Sequence, residues 1–302
     1  MSRVATVPTQ RVMAAAVLNA QEKLSISQAQ LSTGKKATNF AALGTETVRN
    51  LSAHSMLARQ DAHSIVAKRL NTTLSLYQGS IEAVQTATDD LRKQILTAFG
   101  TGNSAGLQEA IESGFDQFRT SLNASEGGIP LFAGSQTEAS PFSVDSFAQV
   151  ATTPAANAFH DDTVRASARV ADNVDVKYGI GASDVGTGIY EAFRTLAQAG
   201  TIGDHPTDAQ KLTLQQAIAQ LDTGLAQLRG VNAENGRRQG QVEDMMARGD
   251  ERSLLLKGVI QDNEDADLGQ VAVDIAQQKT VLEASYSVVA QLSKLSIVNY
   301  LG

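Results

Sequence analysis

Histidine is the side chain most often recruited for proton transfer or metal ligation near neutral pH, and this chain has four, His54, His63, His160 and His205. None stands in a HExxH pair or in any other ligand spacing, so each reads as an ordinary surface or core histidine. There is no cysteine, which excludes a disulfide, a thiol nucleophile and a thiolate metal site. Neither a G-x-S-x-G nucleophile elbow nor a Walker A loop is expected in the chain. Tyr178-Gly179-Ile180-Gly181 follows a strand-like run and precedes a helix, but Asp184 stands where a dinucleotide loop needs its third glycine. It reads as a turn, and Gly100-Thr101-Gly102, which follows a helix, reads as a break. Arg237 and Arg238 are candidates for phosphate but suit a polar helix face. Asp265 and Asp267 are candidates for a cation but suit a helix start. The expectation is therefore no catalytic residue, no cofactor and no metal.

What the chain does carry is apolar surface at regular spacing. Met13, Val17, Ala20, Leu24, Ser27 and Leu31 recur in steps of four and three, a heptad seam, closed at Gly34 by a C-cap signal. A second seam runs Val66, Leu70, Thr73, Tyr77, Ser80, Val84, Ala87 and Leu91, with Leu74, Ile81 and Ile95 on a parallel line. A helix over roughly 45–99 would be about 80 Å long. GTGNSAG breaks it, and Leu107, Ile111, Phe115, Phe118 and Leu122 line a shorter helix. From Glu126 the composition turns to Gly, Pro and Ser, and VRASARV and VDVKY look strand-like. A third seam runs from Leu214 through Leu228, Asn232, Asn235 and Gln239 to Met246 and recovers at Leu256 and Ile260. The last helix carries Ile275, Leu282, Val289 and Leu292, with Val281, Val288, Leu295, Val298 and Leu301 on further faces.

This layout is nearly palindromic. Short and long helices lead out, and long and short helices lead back. Antiparallel pairing places the chain ends side by side. The predicted class is mainly α: an elongated antiparallel helical bundle or coiled coil formed by both chain ends, with a small β-rich insert at its tip. The expected divisions are 1–40 with 265–302 as a terminal coiled coil, 41–140 with 185–264 as a long-helix rod, and 141–184 as the β-rich outer domain. One partner helix covers only one face of the tail, so the remaining apolar faces call for other copies of the chain. The expected self-assembly interface is Met13, Val17, Leu24, Leu31, Ile275, Leu282, Val289, Leu292, Leu295, Val298 and Leu301. A net charge of -7 argues against nucleic acid and anionic membrane as partners. The first residues lack an h-region with a cleavage site, so the chain is expected in the cytoplasm or exported without a cleaved signal.

Several stretches carry a resemblance. QAQLSTGKKA is similar to the LSTGK motif near the start of bacterial flagellins and their hook-associated relatives. LRGVNAENGRRQGQVE resembles the family's RA-x-x-GARQNRLE stretch, and Asp265-Ala266-Asp267, Gln277-Gln278 and EASYSVVAQLSKLSIVNYL resemble its C-terminal helix. GGIPLFAGSQTEASPF looks most like a segment of the family's hook–filament junction members. The chain departs from the family at Gly240-Gln241, where Asn-Arg is usual, and at Arg92-Lys93-Gln94, where the immune-recognition motif of many filament flagellins has Arg-Glu-Leu. The resemblance implies a secreted structural protein of the bacterial flagellum, exported through the type III apparatus with a cytoplasmic export chaperone. Its implied partners are copies of itself, the neighbouring hook-associated junction protein and filament flagellin. A filament-forming flagellin with a small outer domain is the nearest alternative. A coiled-coil signalling protein and a glycan-binding surface protein are more distant ones.

Overall fold

The computed structural model describes the backbone of residues 3–136 and 138–301, and the side chains of 11–136 and 138–291. The helices, in chain order, are α1 (Arg3–Thr33), α2 (Thr47–Thr101), α3 (Leu107–Leu122), α4 (Phe147–Val150), α5 (Ala155–Ala158), α6 (Ala182–Gln198), α7 (Asp208–Glu264) and α8 (Leu268–Leu301). Two small antiparallel sheets complete the fold: β1 (Ser125–Glu126) with β2 (Ile129–Pro130), and β3 (Ser167–Ala171) with β4 (Val174–Lys177). The protein is mainly α with a small β insert, as its apolar spacing predicts. It divides into two compact units, Met1–Arg59 with Arg252–Gly302, and Gln60–Glu251.

The second unit holds the aromatic core. Phe115 and Phe118 of α3, Phe132, Phe142, and Tyr190 and Phe193 of α6 are all buried. The rings of Phe115, Phe118 and Tyr190 meet that of Phe142 edge to face, 5.4–6.1 Å apart, an arrangement favoured by the ring quadrupole. α6 crosses α7 at Gly188 and Gly224. A Cβ on Gly224 would lie 2.8 Å from Ile189 Cγ1 and 2.9 Å from its backbone nitrogen, so only glycine permits this backbone approach. α2 and α7 run antiparallel here: Asn235 donates to the Leu74 carbonyl at 2.9 Å, Arg229 pairs with Asp89, and Arg92 pairs with Asp222.

The buried stripe of α2 is Ala67, Leu70, Leu74, Tyr77, Ile81, Val84, Thr88, Leu91, Ile95 and Ala98. It alternates steps of three and four without a break. The expected seam shares Leu70, Tyr77, Val84 and Leu91 with it but places the intervening positions one residue early, at Val66, Thr73, Ser80 and Ala87. The residues taken as a parallel line, Leu74, Ile81 and Ile95, belong to the seam itself.

The hairpin β3–β4 turns at Asn173, whose φ of 60° is a left-handed conformation asparagine tolerates. Its inner residues Val170 and Val176 pack on Ala67, Leu70 and Leu74 of α2 and Val242 of α7. The seam supplies the apolar platform that a two-stranded sheet needs to be stable.

Candidate assembly face

Within the first unit α1 packs on α8, and the bridge between them is set by backbone. Gly34 ends α1 with φ of 69°, its N–H donating to Gln30 O at 2.8 Å. Lys36 N then donates to Glu264 O at 2.6 Å and Ala266 N to Gly34 O at 2.8 Å, pairing Lys35 with Asp265 as a single antiparallel bridge. Asp267 caps α8, accepting from Gly269 N at 2.9 Å and Gln270 N at 3.1 Å, which satisfies two of the helix's orphan donors. Of the two aspartates read as a helix start, Asp267 is the cap; Asp265 instead takes Lys35 Nζ at 2.6 Å.

A polar cluster secures this bridge to α2. Glu264 Oε1 accepts from Asn50 Nδ2 at 2.8 Å and lies 2.6 Å from His54 Nε2; its Oε2 is 3.3 Å from Lys35 Nζ. Hydrogen bonds from Asn50, then His54, hold the Glu264 carboxyl down at about 2, because donors aimed at a carboxylate favour its charged form.

Beyond the bridge the two helices meet along a thin line. On α1, Ala20 and Ser27 are buried, Met13, Val17 and Leu24 are half-buried, and Leu31 is 48% exposed. On α8, Val271 and Leu282 are buried, Ile275 is half-buried and Val289 is 40% exposed. Gln21 Nε2 donates to the Tyr286 hydroxyl at 2.7 Å. Leu292, Leu295, Val298 and Leu301 fall outside the residues whose side chains are described.

Among the described side chains of the whole first unit, the buried apolar ones are Ala20, Ala53, Ile260, Val271 and Leu282. Against these five stand Val12, Leu18 and Ile26 on α1 and Val273, Val281 and Val288 on α8, all exposed, with Leu18 at 64%. Of the expected interface residues whose side chains are described, Leu282 is buried, Met13, Val17, Leu24 and Ile275 are half-buried, and Leu31 and Val289 are exposed. Further exposed apolar residues lie off the seam. Val281 and Val288 are legible as a second face. Val12, Leu18, Ile26 and Val273 are not, because single apolar residues off a seam resemble ordinary surface.

The chemically suggestive motifs serve packing. Gly102-Asn103-Ser104-Ala105-Gly106 does spell the G-x-S-x-G of a nucleophile elbow, against the expectation that the chain has none. An elbow needs a strand before its serine; here a helix comes first, Ser104 is buried, its hydroxyl donates to Gly203 O, and its N–H donates to Asp204 O. His160 Nε2 lies 3.0 Å from the exposed Ser143 Oγ, and among the described residues no third group holds the ring for base catalysis. Arg237 and Arg238 both turn onto Glu234, whose carboxyl Arg237 holds at about 2. Among the described residues no cluster of metal-ligating side chains occurs, and no helix is long and apolar enough to cross a membrane.

No family model and no curated protein matches the chain. Solved structures do. One described as a flagellar hook-associated protein from Vibrio parahaemolyticus superposes with a TM-score of 0.61 at 17% identity, covering 72% of this chain and 97% of that one. FlgL from Bacillus cereus superposes with a TM-score of 0.51 at 11% identity, covering 66% of this chain and 98% of that one. The fold is the one these flagellar proteins share.

Proposed function

We propose that this chain is a structural, non-enzymatic protein of the bacterial flagellum that assembles with copies of itself at the junction of hook and filament. The observation that carries the reading is the unbalanced burial of the first unit: α1 and α8 bury little of each other and leave apolar side chains in water on their outer faces. Large apolar side chains left exposed on both terminal helices suit an interaction surface, and a structural protein joining two polymers needs such surface at both chain ends. The fold likeness to two flagellar proteins and the LFAG and C-terminal sequence motifs support the same placement. Met13, Val17, Leu24, Leu31, Ile275, Leu282 and Val289 then fix the α1–α8 pair, while Leu292, Leu295, Val298 and Leu301 continue its apolar character. The neighbouring hook-associated junction protein and filament flagellin would contact it above and below. An export chaperone would shield the tail before passage through the type III apparatus.

The test is paired. Deleting the gene is expected to leave hooks without filaments and to shed flagellin into the medium; normal filaments would refute the junction role. Complementation with Leu18→Asp/Val281→Asp is expected to give a secreted protein, folded in its second unit, that fails to enter flagella. Both residues are exposed in the single chain, so their replacement costs the monomer within roughly 0.5 kcal/mol each. Incorporation at the wild-type level would show that these faces are not buried between copies.

A further inference from the structure

Residues 138–160 cross the aromatic core of the second unit with little regular structure of their own. They contain the two four-residue helices α4 and α5 and one isolated bridge, Phe142 to Phe159. Yet Phe142, Val144, Val150 and Ala158 are buried in that core. Asn123 stands in for a neighbouring strand at one end, its side chain donating to Phe142 O at 2.9 Å and accepting from Phe142 N at 3.1 Å. Tyr190 donates to Thr153 O at 2.9 Å midway.

The far end is held differently. Asp162 accepts from the Ser135 N–H at 3.1 Å, from the Ser135 hydroxyl, and from the Val164 N–H at 2.9 Å. Asp161 accepts from Ser183 N at 2.9 Å and from Ser183 Oγ at 2.7 Å. A single dipeptide thus grips the chain both before the segment, at Ser135, and after it, at the start of α6. Each grip has its own glycine. A Cβ on Gly134 would collide with the Asp162 carboxylate, and one on Gly181 with that of Asp161. Arg165 locks the turn, donating to Asp162 O at 2.7 Å and to Asp184 Oδ2 at 2.5 Å.

We propose that residues 138–160 form a strap over the aromatic core that opens as one unit, and that Asp161–Asp162 is the buckle that keeps it shut. A segment poor in backbone ladder bonds sits at the low end of a protein's opening free energies. Beside the burial of Phe142, Val144, Val150 and Ala158, its closure therefore rests on a few side-chain bonds, and those to carboxylates are the strongest of them.

Hydrogen exchange on the full-length monomer tests this. Asp161→Ala/Asp162→Ala is expected to raise amide exchange across 138–160 by roughly ten- to hundredfold, while α3 and α6 amides change less than about threefold. Ser135→Ala and Ser183→Ala each remove one hydroxyl donor and should give the same pattern at smaller size. They carry the test with the same outcomes should the double variant not fold. Unchanged exchange in 138–160, or equal acceleration there and in α3 and α6, would overturn the proposal.

Discussion

Glu264 shows how one side chain can govern the joint on which the terminal helices depend. Its carboxyl is held at about 2 against an ordinary value of 4.5. A depressed folded value means stability that is present above the unfolded value and lost as pH falls. The first unit is therefore expected to lose stability between about pH 4.5 and 2, read as melting temperature across that range. Glu264→Gln should flatten this acid arm; an arm of unchanged slope would assign the loss to other carboxylates. Gly224 is the counterpart in the second unit. Gly224→Ala forces a methyl into the Ile189 backbone and is expected to cost about 1–3 kcal/mol by overpacking, measured by denaturant midpoint. Gly230→Ala has no atom to meet and should instead stabilise α7 by up to about 1 kcal/mol.

At the scale of elements, α2 separates what the sequence discloses from what it withholds. Its extent was readable because no proline interrupts the run and GTGNSAG ends it. Its exact seam was not, since Val66 and Ala67, or Ser80 and Ile81, both keep a four-three rhythm with Leu70 and Tyr77. What decides between them is the platform offered by α7 and the β3–β4 hairpin, a nonlocal fact. Ile81→Ala is accordingly expected to cost about 2–5 kcal/mol, while Val66→Ala, at 38% exposure, should cost well under half as much. Comparable losses at both would restore the other seam. The start of α7 was legible but passed over: Thr207 and Gln210 form a reciprocal capping box, Gln210 N donating to Thr207 Oγ1 and Thr207 N to Gln210 Oε1. The Gly127-Gly128 turn of β1–β2, both residues at positive φ, is likewise a hairpin signature hidden by the brevity of its strands. The exposed apolar residues of α1 and α8 were half legible, Val281 and Val288 by rhythm and Val12, Leu18, Ile26 and Val273 only from exposure.

At the scale of the whole molecule, the two units differ in what holds them. The second has a core of interlocked aromatic rings; the first has five buried apolar side chains among those described. In dispersed monomer, amides of α1 and α8 at 11–33 and 268–291 are expected to exchange at least about tenfold faster than those of α3 and α6, and to become protected on polymerisation. Equal protection in the monomer would remove the reason for the chain to seek neighbours. The backbone bridge between Gly34 and Ala266 adds a condition on how such a chain can vary. It sets a common origin from which α1 and α8 are both measured. One residue inserted between Gln21 and Gly34 turns everything before it by about 100° and carries Gln21 away from Tyr286. A seven-residue insertion in α1 alone keeps angular phase within about 20° but slips the helices by two turns. Only matched additions to both leave the pairing intact, so the lengths of the two terminal helices are free to change together and not separately.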